Sequence, residues 1–223
     1  MLLAKYLPPP SPELSPADLV ARLRSNLNGF RLGMVLTMFG FALMVPWSMG
    51  VDARAGGHDQ PPVLTYVQLG SAAIGSLIGQ GATWIFEATA YRLDDTDPFI
   101  VRSLHDLGWF TFLAPWPSFT VWCLALAIAI LRGGTAEIGL PRWSGYLSIW
   151  TGILFMPACL IFWFKSGPMA WNGVIAFYIP VFIFFIWVIG VTVPALRSFR
   201  TESSLRPDKG SEEGYRHHRA GVA

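Results

Sequence analysis

Charge is scarce in this chain. Asp, Glu, Lys and Arg together make up 13% of its 223 residues, about half of the ~25% found in soluble domains. Lysine is the rarest of the four, 3 against 13 arginines, a bias that points to a GC-rich bacterial coding sequence. The net charge is +2 and the pI about 8.7. With its basic residues set beside apolar runs and not gathered into a patch, the chain lacks a nucleic-acid footprint, and nucleic acid is not expected as a partner.

Metal ligands are equally few. The only histidines are His58, His105, His217 and His218. His58 and His105 fall on opposite sides of the expected topology, so a two-histidine haem is disfavoured. Di-iron and Cys/His zinc chemistry lack their ligand sets, and no metal or cofactor is expected. Cys123 and Cys159 both sit inside apolar runs, where a small hydrophobic side chain is the expected role and a disulfide framework is not. No phosphate-binding glycine loop, nucleophile elbow or paired-carboxylate motif occurs. Met1 to Pro10 does not have the charged, apolar and small-residue succession of a removable signal peptide.

What the chain has instead is apolar length. Hydrophobic residues make up 53%, aromatics 14%, and the mean hydropathy is +0.46. A bilayer core about 30 Å thick needs roughly 20 apolar residues per helix. Five such runs fit: Leu32 to Met49, Val63 to Tyr91, Phe99 to Leu131, Trp143 to Phe164 and Gly173 to Leu196. The expected fold is therefore an all-α integral membrane bundle of five transmembrane helices over residues 30–197. A tail with a short amphipathic helix precedes it over 1–29, and a disordered polar tail follows over 198–223.

Local signals refine the spans. The Pro-rich Leu7 to Pro12 cannot form regular helix. Ser15 followed by Pro16 reads as a helix start. That helix either lies at the headgroup level, with Leu19, Leu23 and Leu27 toward the acyl chains and Arg22, Arg24 and Arg31 toward phosphate, or is a capped lead-in to the first span. The first span should stop near Pro46-Trp47. Asp97 should cap the third span, with Pro98 at its first position, and Pro115 and Pro117 should kink it. Pro157 interrupts the fourth span, and Pro180 and Pro194 mark the fifth, where a kink is also expected. Around the tight turn Lys165 to Pro168, Trp163, Lys165 and Trp171 have the composition of an interface anchor that contacts lipid headgroups.

Within the second span, Ser76, Gln80, Thr83 and Glu87 recur at spacings that hold one helix face. Such groups cost several kcal/mol if left unpaired against hydrocarbon, so they should turn inward. Ser71, Gly75 and Gly79 form a small-residue series for close helix packing. Across the acidic turn, Arg102, His105, Asp106 and Trp109 share a face of the third span, with Arg102 and Asp106 spaced to pair. Antiparallel neighbours would bring Gln80, Thr83, Glu87, Arg92, Arg102, His105 and Asp106 to one depth. These seven make a candidate pocket for a proton or ligand, or else a salt-bridge network that fixes the helix pair.

The function expected from this pattern is a non-catalytic, multi-pass subunit of a membrane complex, or a binder of a lipid-like molecule. The alternative is a small proton-coupled carrier using Glu87 with Arg102, His105 and Asp106, and a membrane enzyme ranks last for want of a nucleophile or metal site. Expected partners are membrane lipids and a protein partner or second copy in the membrane, with the cytoplasmic membrane as the location. Near-membrane Lys and Arg number one more on the C-terminal side, which tips the C-terminus toward the cytoplasm.

Overall fold

Helices account for all regular structure among the described residues, because the apolar runs are long enough to satisfy their own backbones and lack the period-two alternation of strands. The computed structural model describes residues 6–55, 61–133 and 139–205, the last five by backbone alone. His58, His217 and His218 lie outside them, as does the C-terminal tail from residue 206.

The elements are α1 (Pro16–Arg24), α2 (Leu27–Ala55), α3 (Pro62–Tyr91), α4 (Pro98–Leu113), α5 (Trp116–Arg132), α6 (Arg142–Phe155) and α7 (Ile179–Leu205). A 3-10 helix, Met156–Phe162, extends α6, and a wide π turn, Val174–Tyr178, precedes α7. Five stretches are long and apolar enough to cross a membrane: Leu27–Ala55, Pro62–Tyr91, Pro98–Arg132, Arg142–Phe162 and Val174–Arg200.

The prolines act differently according to what precedes them. Pro46 does not end the first span as expected: α2 continues through it to Ala55, since one lost donor is tolerable where the rest of the ladder holds. Pro115 does break the third span, separating α4 from α5. Pro157 tightens the end of the fourth into 3-10 geometry. Pro180 sits where the π turn Val174–Tyr178 passes directly into α7, so the irregularity of the fifth span lies beside its missing N–H. Residues 198–205, expected in the disordered polar tail, are instead the end of α7, which reaches Leu205.

Successive spans alternate in direction, and side-chain bonds mark several of the contacts. Arg31 near the start of α2 reaches the carbonyl of Ala90 near the end of α3 at 2.8 Å, and Gln68 near the start of α3 donates to Asp52 near the end of α2 at 2.6 Å. Thr120 of α5 donates to the Gly152 carbonyl of α6 at 3.0 Å, Trp187 of α7 to Ser148 of α6 at 2.9 Å, and Trp47 of α2 to Thr192 of α7 at 2.8 Å. The last bond closes the ring of helices.

Two aromatic clusters fill the bundle, one toward each end. Trp47, Trp122 and Trp187 meet edge to face with centroids 5.3–5.5 Å apart, flanked by Phe119, Phe155 and Phe184. The other cluster gathers Tyr6, Phe30, Phe86, Trp109, Trp171 and Phe177. Outside, large apolar side chains such as Phe39, 66% exposed, ring the bundle, the surface that a hydrocarbon solvent calls for.

Glycines set the closest approaches. The Gly108 position of α4 faces the Phe86 ring with no room for a Cβ, whereas Gly70 and Gly81 of α3 face open space. Overpacking of this kind costs about 1–3 kcal/mol. Gly108→Val should therefore lower the thermal midpoint of the detergent-solubilised protein clearly, while Gly70→Ala and Gly81→Ala leave it within error; equal midpoints for all three would contradict the described contact.

Candidate functional site

At the end of the bundle where α2 starts and α3 finishes, the chain before α1 folds back as a strap. Tyr6 leads it, and Pro9, Pro10 and Pro12 are buried along it. Proline removes backbone donors, so the strap is held through its carbonyls by side-chain donors from the body of the protein. Arg22 donates to Pro8 at 2.6 Å, Trp171 to Pro10 at 2.9 Å and Arg102 to Pro12 at 2.9 Å. After it, Ser15 caps α1 by accepting from the Asp18 amide at 3.2 Å, with Pro16 in the first turn.

α1 does not face acyl chains. Leu19 and Leu23 are buried in the same cluster as Tyr6 and Phe30, because the strap supplies an apolar surface closer than any bilayer. Its far end is tied to the α3–α4 turn by Arg24 and Asp94 at 2.5 Å, an exposed pair that contributes little by itself.

The strap delivers Tyr6, only 3% exposed, into an aromatic cage. Its ring lies parallel to Trp109, 5.7 Å between centroids, and meets Phe30 and Phe86 edge-on at 4.9 and 5.9 Å. Its hydroxyl donates to Nε2 of His105, which is buried in α4. Burial pushes the phenol well above its usual range, so it keeps the proton it donates. Trp109 Nε1–H, 3.3 Å away, points at the same imidazole nitrogen. An indole can only donate, so Nε2 is the acceptor and the imidazole proton sits on Nδ1. That atom is buried without a hydrogen-bond partner. Asp106 lies 3.8 Å from it, close enough to act electrostatically and too far to bond.

The seven residues of the expected pocket are divided. His105 and Asp106 adjoin the cage, but Arg102 is committed to the strap carbonyl instead of pairing with Asp106. Glu87 points elsewhere. Its neighbour Phe86 enters the cage, and a 100° step along the helix turns Glu87 away from it. Arg31, at the start of α2, donates to the last carbonyls of α3, favourable at a helix C-terminus. Oε1 of Glu87 is buried and unpartnered.

Gln80 and Thr83 stay with Ser76. Ser76 donates to the Phe41 carbonyl of α2 at 2.5 Å, Gln80 reaches Ser76 Oγ at 3.3 Å, and Thr83 donates to the Gln80 carbonyl at 2.6 Å. Arg92 is exposed. Of the small residues, Gly75 faces Phe119 of α5, Gly79 faces Phe41 of α2, and Ser71 is half-buried.

The aromatic turn also separates. Trp163 is 73% exposed and Lys165 is exposed, whereas Trp171 is buried against Trp109 and bonds the strap. Trp171 is thus a core residue and not an interface anchor, because the turn folds inward over Gly167, held at φ 76°, and Gly173, which abuts the Pro168 carbonyl. Cys123 is buried and Cys159 partly so, both as free thiols.

Tyr6 is the residue that reading the sequence missed. The signal available for it was indirect: a tyrosine directly before a run of prolines whose carbonyls need donors, in a chain with a histidine inside a span. Comparison with protein-family models, curated proteins and solved structures gives no match. Removing the Tyr6 hydroxyl leaves His105 Nε2 only the longer Trp109 bond, a loss worth about 1 kcal/mol. Tyr6→Phe should lower the unfolding midpoint of the detergent-solubilised protein while leaving its helical circular dichroism unchanged; an unchanged midpoint would count against the Tyr6–His105 bond.

Proposed function

We propose that this chain is a non-catalytic, multi-pass membrane subunit whose outward helix faces dock a partner protein in the bilayer. The observation that carries this reading is the internal use of its polar groups. The strap carbonyls take up Arg22 and Arg102, Tyr6 and Trp109 both donate to His105, and the α3 stripe bonds its own helix and Phe41. These groups hold the helices in place. What is left facing outward is apolar, including Leu77, Trp84, Phe182 and Ile189, and on α3 the small Gly70 and Gly81 leave room between the large side chains. Small residues on an outward face permit close approach by another helix. Under this reading the protein sits in the cytoplasmic membrane with its C-terminus inside, and lipids cover the faces that the partner does not.

A single atom favours a second reading. Glu87 holds a carboxylate oxygen buried without a partner, at one end of the polar stripe, as a proton-coupled carrier would require.

Extraction in a mild detergent should retain a stoichiometric protein partner, identified by mass spectrometry across successive columns; a monodisperse single chain would contradict the subunit reading. If the carrier reading holds, liposomes containing Glu87→Gln should fold normally and lose pH-dependent flux entirely. Flux that persists in both Glu87→Gln and His105→Ala would exclude it.

A further inference from the structure

The geometry points to the cage around Tyr6 as a binding site for a small hydroxylated aromatic ring, a phenol or hydroquinone headgroup, with Tyr6 as its intramolecular occupant and the strap as the cover. This goes beyond the subunit reading and does not depend on it.

The argument begins with what the cage recognises. Phe30, Phe86 and Trp109 surround one flat ring on an edge-edge-face pattern, the geometry that aromatic quadrupoles favour. A purely structural plug would need nothing more than a phenylalanine. Here a histidine is carried inside an apolar span to meet the ring's single hydroxyl, at the expense of a buried Nδ1 that bonds nothing. Burying an imidazole whose Nε2 would otherwise have only the Trp109 indole at 3.3 Å is costly in a core. It is useful in a pocket that must tell a hydroxylated ring from a bare one, because an analogue without the hydroxyl leaves Nε2 only the longer Trp109 bond and forfeits the closer one. Asp106 beside Nδ1 keeps the imidazole oriented with Nε2 toward the ring.

The occupant is also attached in a way that allows exchange. Tyr6 is held by its side chain in a segment without helix or strand. The strap is fastened by three side-chain donors to the carbonyls of Pro8, Pro10 and Pro12, bonds that involve no ladder and can be released one by one. Trp171 couples the two halves of the device: it bonds the Pro10 carbonyl and lies parallel to Trp109, 6.4 Å between centroids.

The test uses the full chain in lipid nanodiscs, with 4-methylphenol, toluene and a decyl-tailed hydroquinone as probes. In wild type, saturating hydroquinone should increase hydrogen exchange at the strap amides Leu7, Ser11 and Glu13. In Tyr6→Ala the competitor is gone, so 4-methylphenol should bind at least about tenfold more tightly than to wild type. It should also bind about tenfold more tightly than toluene, and Tyr6→Ala combined with His105→Leu should abolish that preference. Tyr6→Phe, which keeps the ring and drops the hydroxyl, should also gain affinity for hydroquinone, and serves if Tyr6→Ala does not fold. Tighter binding of the tailed probe than of 4-methylphenol would name a membrane-borne ring as the natural ligand, and equal affinity a free phenol. Strap exchange unmoved by saturating hydroquinone, toluene binding as well as 4-methylphenol, or no affinity gain in either Tyr6 variant would overturn the proposal.

Discussion

A carbonyl or hydroxyl facing hydrocarbon has no water to bond, and the arrangement of polar groups in this protein follows from that constraint. Each span carries a few polar side chains, and most bond to their own helix or a neighbour, with Glu87 Oε1 and His105 Nδ1 among the exceptions. Thr120 bonds Gly152, Trp187 bonds Ser148, and Ser76 bonds Phe41. These bonds settle how the helices rotate against one another, because apolar surface alone is indifferent to rotation when its surroundings are equally apolar. The three-tryptophan cluster of Trp47, Trp122 and Trp187 shows the combination: edge-to-face rings supply contact, and two indole N–H groups, bonded to Thr192 and Ser148, fix its orientation.

The strap obeys the same constraint from the opposite direction. A run of prolines has carbonyls to satisfy and few amides to offer, so it can be held only where the body presents donors. Arg22, Arg102 and Trp171 are those donors, drawn from α1, α4 and the turn before the π segment. One consequence is that Arg102 is unavailable to Asp106, and Asp106 is left beside His105 alone. Another is that Leu19 and Leu23 find their apolar partner in the strap's cluster. The Tyr6 cage therefore links the tail, α2, α3 and α4 in one contact, and its single buried acceptor, His105 Nε2, receives two donors.

Glycine placement separates inward from outward faces of α3. Gly75 and Gly79 admit Phe119 and Phe41, while Gly70 and Gly81 on the other side meet nothing. The inner pair explains how a helix of 30 residues can sit between α2 and α5 at short range. The outer pair, among Ile74, Leu77 and Trp84, is the structural basis for reading that face as one that receives another helix.

Span number, the capping of α1 and α4 by Ser15 and Asp97, and the break at Pro115 were legible in the sequence, because length of apolar run, cap chemistry and proline are local properties. The inward turn of Gln80 and Thr83 was legible too, since an exposed polar stripe has no tolerable alternative in an apolar solvent. Three things were not. Pro46 reads as a stop but is crossed, because whether a lost backbone bond ends a helix depends on the hydrophobic length still to be covered. Trp171 reads as an interface residue but is buried, because the fold of its turn depends on the strap it bonds. Glu87 and His105 read as one pocket, yet Phe86 occupies the space between their helices, and Glu87 lies a 100° step around α3 from it. The pairing of Tyr6 with His105, 99 positions apart, belongs to tertiary structure alone: periodicity says which face of a helix is turned inward, and only the packed bundle decides which distant side chain fills the space that face encloses.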